Sequence, residues 1–197
     1  MKDNVPYINI HTHKMGGNEI SIEIIGIHPF DAESGVKLTA KDIDESIEAI
    51  GEIGLDFAKA VDRTEQERVF KEQLSLSEQL NLPVVIHSVR AVDRTIDILS
   101  QFRLNAVIFH GFIGSEQQAN MAIKRGYYLS FGHRCFASPK TLSALRMVPL
   151  ERLFFETDEC DISIEEIYSR AAAYRGESLS AIKEQLYINY INIFKRK

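Results

Sequence analysis

Five short apolar runs in this chain each carry a histidine or carboxylate at or near their ends, and this recurrence limits the fold more than any other feature. The runs are Tyr7-Ile-Asn-Ile-His-Thr-His13, Ile50-Gly-Glu-Ile-Gly-Leu-Asp-Phe57, Val84-Val-Ile-His87, Val107-Ile-Phe-His110 and Leu153-Phe-Phe-Glu-Thr-Asp158. Runs this short, rich in β-branched and aromatic residues, read as buried strands. Between them the pattern changes to a helical period, and nearly every helical segment opens with a cap. Thr39 with Asp42, Thr64 with Glu67, Ser115 with Gln118 and Ser163 with Glu166 keep the three-residue offset of a capping box, while Ser138-Pro139 sets proline at a first helical position. Gly126 and Gly176 are placed to end two of the helices. Helices are expected near residues 40–49, 65–80, 91–102, 116–125, 139–147, 164–175 and 179–195. Strands are expected at 7–12, 22–27, 48–53, 83–87, 105–109, 127–131 and 152–156.

This alternation is the signature of a parallel α/β sheet. In a (β/α) barrel the C-terminal strand ends gather at one mouth, where active sites lie. With 197 residues and 45% hydrophobic content, the chain supports one sizeable core, and a single domain over residues 1–197 is expected. A typical eight-stranded barrel takes about 250 residues and rarely fewer than about 200. Something must then be shortened. Residues 14–21 are all that separate His13 from Ile22, whereas a parallel crossover takes roughly a dozen residues or more. Those residues, fully extended, span about 27 Å at roughly 3.4 Å each, enough to retrace one strand without a helix. The expected architecture is therefore a TIM-like (β/α) barrel, incomplete, with about seven strands. A missing unit leaves apolar surface, and a homodimer covering residues 14–25 is the corresponding expectation.

Composition narrows the partners. A formal net charge of −5 argues against a broad basic surface that tracks nucleic acid, so phosphate recognition is expected to be local. Cys135 and Cys160 form no C-x-x-C pair or other zinc spacing, which fits a reduced, cytoplasmic chain. The first residues lack the apolar core of a secretion signal, and no apolar stretch approaches about 18 residues, so no membrane association is expected.

His11 and His13 stand two apart on an expected strand, so both side chains leave on one face and can grip one ion. Glu52 lies in an apolar run where a carboxylate is costly to bury unless a cation compensates it. His87 and His110 end apolar runs in successive βα units. Asp158 occupies a similar position, where the simpler role is a helix N-cap. These four imidazoles and two carboxylates suit Zn²⁺ or Mn²⁺. His28, Arg90 and His133 are candidates to hold a substrate oxygen or leaving group, and Asp56 and Glu156 to orient ligating imidazoles.

At these residues the sequence resembles the TatD family of metal-dependent deoxyribonucleases, within the wider amidohydrolase-like group of hydrolases. The resemblance runs in order through the His11-Thr-His13 pair, Gly26-Ile-His-Pro29, Gly51-Glu-Ile-Gly-Leu-Asp-Phe57, Pro83-Val-Val-Ile-His87, Phe109-His-Gly-Phe112 and Glu156-Thr-Asp158. It implies that His11, His13, Glu52 and Asp158 surround one divalent ion, that Glu52, His87 and His110 hold a second, and that Glu52 bridges them; zinc, manganese, magnesium or nickel would serve. It further implies hydrolysis of a phosphodiester, in DNA from a 3′ end or in a small nucleotide-like phosphoester, by metal-activated water with Asp158 as general base. The chain departs from the family in lacking a βα unit after His13, in a short Glu159-Cys-Asp-Ile-Ser segment after Asp158, in the displaced arginine of His87-Ser-Val-Arg90 and in Gly111 after His110. Two alternatives stay open. One is an amidohydrolase-like enzyme acting on a small metabolite, although the lysine suited to that branch is missing from the strand that carries Glu52, the nearest downstream being Lys59. The other is a non-catalytic metal-binding relative, against which all six ligands are retained.

Overall fold

The computed structural model describes residues 5–14, 17 and 19–195. In chain order the elements are β1 (Tyr7–Ile8), β2 (Glu19–Ile20), β3 (Ile24–Ile25), β4 (Ala49–Asp56), α1 (Arg63–Leu80), β5 (Val84–Val89), α2 (Val92–Leu99), β6 (Val107–Phe109), α3 (Glu116–Ile123), β7 (Tyr128–Phe131), α4 (Pro139–Met147), β8 (Leu153–Phe155), α5 (Ile164–Arg175) and α6 (Leu179–Tyr190). They fall into two compact units. A middle unit takes Glu23–Phe109, and a terminal unit joins Met1–Ile22 to His110–Lys197.

In the middle unit β3, β4, β5 and β6 pair side by side, all parallel, with Ile25 opposite Ile50, Gly54 opposite His87 and Val85 opposite Ile108. Ile50, Ile53, Leu55, Val84 and Val85 are fully buried. That is why these strands read as nearly continuous apolar runs rather than as an alternation. Helix α1 begins at Arg63 because the Asp62 carboxylate accepts the backbone N–H groups of Thr64 and Glu65. It ends at Asn81, whose left-handed backbone (φ 54°) stops the helix. Its buried stripe is Gln66, Val69, Phe70, Gln73, Leu74, Leu76 and Ser77, the i, i+3, i+4, i+7 spacing of a core-facing helix. Two glutamines in that stripe return below.

In the terminal unit β1 pairs parallel with β2, and β7 with β8. Ile10 donates its N–H to Phe155 O, and a parallel bridge joins Thr12 to Asp158, so the first strand of the chain runs beside its last. Tyr168 of α5 secures the start of β1: its hydroxyl donates to Ile8 O at 2.9 Å and accepts from Ile8 N at 3.2 Å. Its ring packs edge-on against Tyr7 and Phe155. Burial pushes this phenol far above its ordinary pKa, so it remains a neutral donor.

The parallel strand–helix alternation expected of this fold class is present in both units, with particular differences. The helix expected over residues 40–49 is a single 3-10 turn, Ala40–Asp42. The capping signal is real, since the Asp42 carboxylate takes both the N–H and the hydroxyl of Thr39. Yet Ile43 is already extended, and Asp44 binds the N–H and hydroxyl of Ser46 in a side-chain turn that competes with helix before β4 starts. The Ser115–Gln118 box, the Ser138-Pro139 start and the Gly176 stop all form where expected. Strand β2, in a segment expected to be loop, brings the described residues to eight strands. The expected loop at residues 14–21 and the dimer contact over 14–25 fall partly on residues 15, 16 and 18, outside those described.

Candidate functional site

Two clusters of ligand-type side chains form, one in each unit. In the terminal unit the Thr12–Asp158 bridge sets the geometry: Asp158 donates its N–H to His11 O and accepts the His13 N–H on its own carbonyl. The backbone thereby fixes His11 and His13 beside Asp158. His11 Nε2 lies 3.8 Å, and His13 Nε2 3.5 Å, from Asp158 Oδ1. Asp158 adopts a left-handed backbone, φ 54°, a conformation that aspartate tolerates better than most residues. Its neighbour is clamped as well. Asn9 accepts the Thr157 N–H on Oδ1 and donates from Nδ2 to Thr157 Oγ1, both at 2.9 Å, and Thr157 Oγ1 donates to Thr12 Oγ1. Asn9 and Thr157 are not among the residues the sequence singles out. The available signal was an amide in the middle of a buried apolar run, a position that requires hydrogen-bond partners.

His110 belongs to the same unit, its ring centroid 4.7 Å from that of His11. Its Nδ1 is 3.4 Å from Glu156 Oε1. Glu156 is fully buried. Burial alone pushes its carboxyl up, but hydrogen bonding and charge from His110, with the charge of His11, outweigh this and hold it below the usual carboxylate range. The same oxygen accepts the Gly111 N–H at 2.6 Å. Gly111 has φ 52°, which explains a glycine directly after the ligand-type histidine. His133 begins a 3-10 turn after β7, and among the described residues its buried Nδ1 has no hydrogen-bond partner.

In the middle unit Glu52 sits where the pairing of β4 with β5 slips register between Ile50 and Ile53, an irregularity of the kind that re-aims a side chain. The glycines around it are dictated by close approach. A Cβ on Gly51 would stand 2.7 Å from the Val85 Cβ, and one on Gly54 only 2.0 Å from His87 O. His87 Nε2 is 3.1 Å from Asp56 Oδ2, and its Nδ1 is 3.5 Å from Glu52 Oε2. A carboxylate accepts only, so Nε2 carries a proton toward Asp56, while Nδ1 is the nitrogen turned to Glu52. His28 meets the same point: its Nε2 is 3.3 Å from His87 Nδ1 and 3.8 Å from Glu52 Oε2. Because His28 Nδ1 accepts the Phe30 N–H at 3.2 Å, its Nε2 is the protonated nitrogen and points a donor at the cluster. His28, read from sequence as a substrate contact, thus stands with Glu52 and His87, while His110 stands with Glu156 and Asp158. Arg90 is exposed at the end of β5 with φ 54°.

The two glutamines of α1 hold this cluster from behind. Gln66 accepts the Asp56 N–H and donates to Asp56 O, at 2.7 and 3.1 Å. Gln73 accepts the Ile27 N–H and donates to Ile27 O, at 2.6 and 3.0 Å. One helix face therefore fixes the backbone of Asp56, which orients His87, and of Ile27, which precedes His28.

A parallel α/β protein with histidine and carboxylate donors gathered at its strand ends belongs to the class of metal-dependent hydrolase folds. Residues 9–195 match the family model described as TatD related DNase, and the chain belongs to that family. It is similar to the 3′-5′ ssDNA/RNA exonuclease TatD of Cronobacter turicensis, 34% identical over 163 residues that cover 77% of this chain and 62% of that protein. Human deoxyribonuclease TATDN3 is 30% identical over 159 residues, covering 72% of this chain and 58% of its own length. The chain thus spans about three fifths of the curated relatives it matches. Among solved structures, the TatD homologue YJJV of Escherichia coli K12 superposes with a TM-score of 0.81 at 25% identity, over 90% of this chain and 78% of that one. A TatD-family hydrolase of Entamoeba histolytica gives 0.75 at 19% identity, over 90% and 75%, a likeness of fold alone. No helix of the described residues is long and apolar enough to cross a membrane.

Proposed function

We propose that this chain is a metal-dependent phosphodiesterase acting on nucleic-acid ends, with a 3′ end of DNA or a small nucleotide-like phosphoester as substrate. The spacing of the donor atoms carries this reading. Two donors each about 2.1 Å from a shared tetrahedral ion stand roughly 3.4 Å apart. His11 and His13 lie 3.8 and 3.5 Å from Asp158, and His87 lies 3.5 Å from Glu52. Mixed imidazole and carboxylate donors suit zinc, manganese or nickel, and magnesium less readily. In this reading His11, His13 and Asp158 hold one ion, Glu52 and His87 hold another, and His110 turns its second nitrogen to the terminal-unit ion with Glu156 behind it. When bound, such ions supply Lewis acidity toward water and phosphate oxygens.

The chain's own groups do the rest. Asp158 turns Oδ1 to the two histidines and takes the proton of the attacking water on Oδ2. Asp56 keeps the His87 proton on Nε2, so Nδ1 stays a donor atom toward metal. His28 Nε2–H, which faces His87 Nδ1 in the protein alone, donates to a phosphate oxygen once that lone pair is engaged; Arg90 and His133 serve the remaining oxygens or the leaving group.

The test is cleavage of a single-stranded DNA oligonucleotide and of a chromogenic phosphodiester with added Mg²⁺, Mn²⁺ or Zn²⁺, beside Glu52→Ala and Asp158→Asn. Metal-dependent cleavage that falls at least about 100-fold in both variants is expected. Stoichiometric bound metal with no cleavage of either substrate would sink the proposal.

A further inference from the structure

Phe30 is the most exposed phenylalanine or tyrosine ring among the described residues, at 42%. Its neighbours divide, Pro29 before it being buried and Asp31 after it exposed. Pro29 and Ala32 go inward, and Ala32 joins Ile27 and Val69 in a small core cluster that Leu38 and Val61 pack against. The ring stands edge-on to His28, with centroids 4.2 Å apart, and 5.9 Å from His87. It is also held there: the 3-10 turn Pro29–Asp31 is tied by the Phe30 N–H to His28 Nδ1. The Lys59 ammonium lies over the ring, 4.8 Å from its centroid, and on its flexible stem can swing off that face. Lys59 is exposed, in a chain whose net charge is otherwise negative.

We infer that Phe30 is a stacking platform for one unpaired nucleobase, placed beside the Glu52–His87 pair, with Lys59 binding a phosphate of the same strand. The inference rests on the nuclease reading above and names the side chains that would meet the substrate strand. Aromatic side chains accept any base on their π-face, while the adjacent cation follows the backbone, so the platform selects strand type rather than sequence. A ring that served only to shield the imidazoles would not distinguish a strand with bases from one without.

That distinction is the experiment. Fluorescence anisotropy measures binding of a phosphorothioate oligothymidylate and of an abasic strand of the same length and linkage to the full chain, Phe30→Ala, Phe30→Trp and Lys59→Gln. The parent protein is expected to prefer the thymidylate. Phe30→Ala should weaken thymidylate binding about 5- to 100-fold and abasic binding less than about twofold, while Phe30→Trp retains the preference. Lys59→Gln should weaken both strands alike and flatten the salt dependence. Unchanged thymidylate binding in Phe30→Ala, or an equal loss for both strands, overturns the platform and leaves the nuclease reading intact. If the parent protein binds neither strand, the nuclease reading itself fails and takes the platform with it.

Discussion

Gly54→Ala tests the argument that close contact of β4 with β5 shapes the middle-unit cluster. Gly54 pairs with His87 at φ 143°, and a Cβ there would stand 2.0 Å from His87 O. Two costs add. The backbone region is nearly closed to residues other than glycine, which costs about 1–3 kcal/mol, and the overlap with fixed backbone costs a further ~1–3 kcal/mol. The sum, about 2–6 kcal/mol, is large against a whole-protein stability of about 5–15 kcal/mol. Gly35 supplies the control. It has φ 76° with nothing within 4 Å of an added Cβ, so Gly35→Ala pays only the left-handed backbone, about 1–2 kcal/mol. Thermal unfolding by circular dichroism should show Gly54→Ala at least about 5 °C below the parent, and below Gly35→Ala. Zinc titration of the folded fraction should show weaker binding, because separating β4 from β5 opens the 3.5 Å approach of Glu52 to His87. Equal Tm losses in the two variants would refute the claim that this contact, rather than glycine conformation, is what the position requires.

Gln73→Leu removes both partners of the Ile27 peptide group and should cost about 2–4 kcal/mol in urea unfolding, the penalty for two buried unsatisfied groups; a loss below about 0.5 kcal/mol would contradict the clamp. Asn9→Ala should cost about 1–3 kcal/mol in urea unfolding by leaving the buried Thr157 N–H without its acceptor; a loss below about 0.5 kcal/mol would contradict the fork. Asp56→Ala should lower metal affinity about 10- to 100-fold by isothermal titration, since Asp56 orients His87; unchanged affinity would remove it from the site. Burial pushes the Cys135 thiol up to about 12, whereas Cys160 is only partly buried. A thiol reagent at neutral pH should therefore count one rapid thiol in native protein and two after denaturation, and two rapid native thiols would contradict the burial of Cys135.

Where the sequence was legible, local chemistry and global packing agree. Ser115, Ser138 and Ser163 each cap the helix that follows them, the wholly apolar strands β6 and β8 lie within their expected runs, and β5 overlaps its own and continues two residues beyond it. The ligand-type residues were legible because a histidine or carboxylate closing an apolar run violates the pattern around it. What could not be read was decided by partners distant in sequence. Thr39 and Asp42 make a sound cap at the head of a segment that never becomes a helix, because Asp44 and Ser46 close a turn first. The glutamine clamps join residues 10 and 46 positions apart, and a buried glutamine in a helix stripe does not announce which backbone it will bind. In the sequence His28 is a candidate substrate contact; that its Nε2 also faces His87 and Glu52 follows from the strand register, which one sequence does not contain.

The departures from regular backbone point the same way as the donor distances, and independently of them. Three non-glycine residues among those described have positive φ: Asn81, Arg90 and Asp158. Asn81 has a local reason, since it ends α1 and its N–H returns to the last turn. No helix end accounts for Arg90 or Asp158, which both close strand runs, one after His87 and the other opposite His11 and His13. Glu52 adds a register slip in β4, and Gly54 and Gly111 add positive φ beside His87 and His110. At Arg90 and Asp158 the positive φ costs on the order of 1 kcal/mol and persists only where surrounding structure fixes it, whereas glycine adopts it without that cost. Here the fixing groups can be named: the Thr12–Asp158 bridge, the Asn9 fork, the Glu156 oxygen on Gly111 and the Gln66 clamp on Asp56. A fold seeking stability alone has no use for strain at these strand ends. On the proposed metal-binding reading, variants that relax a clamp should lose metal affinity before they lose the fold.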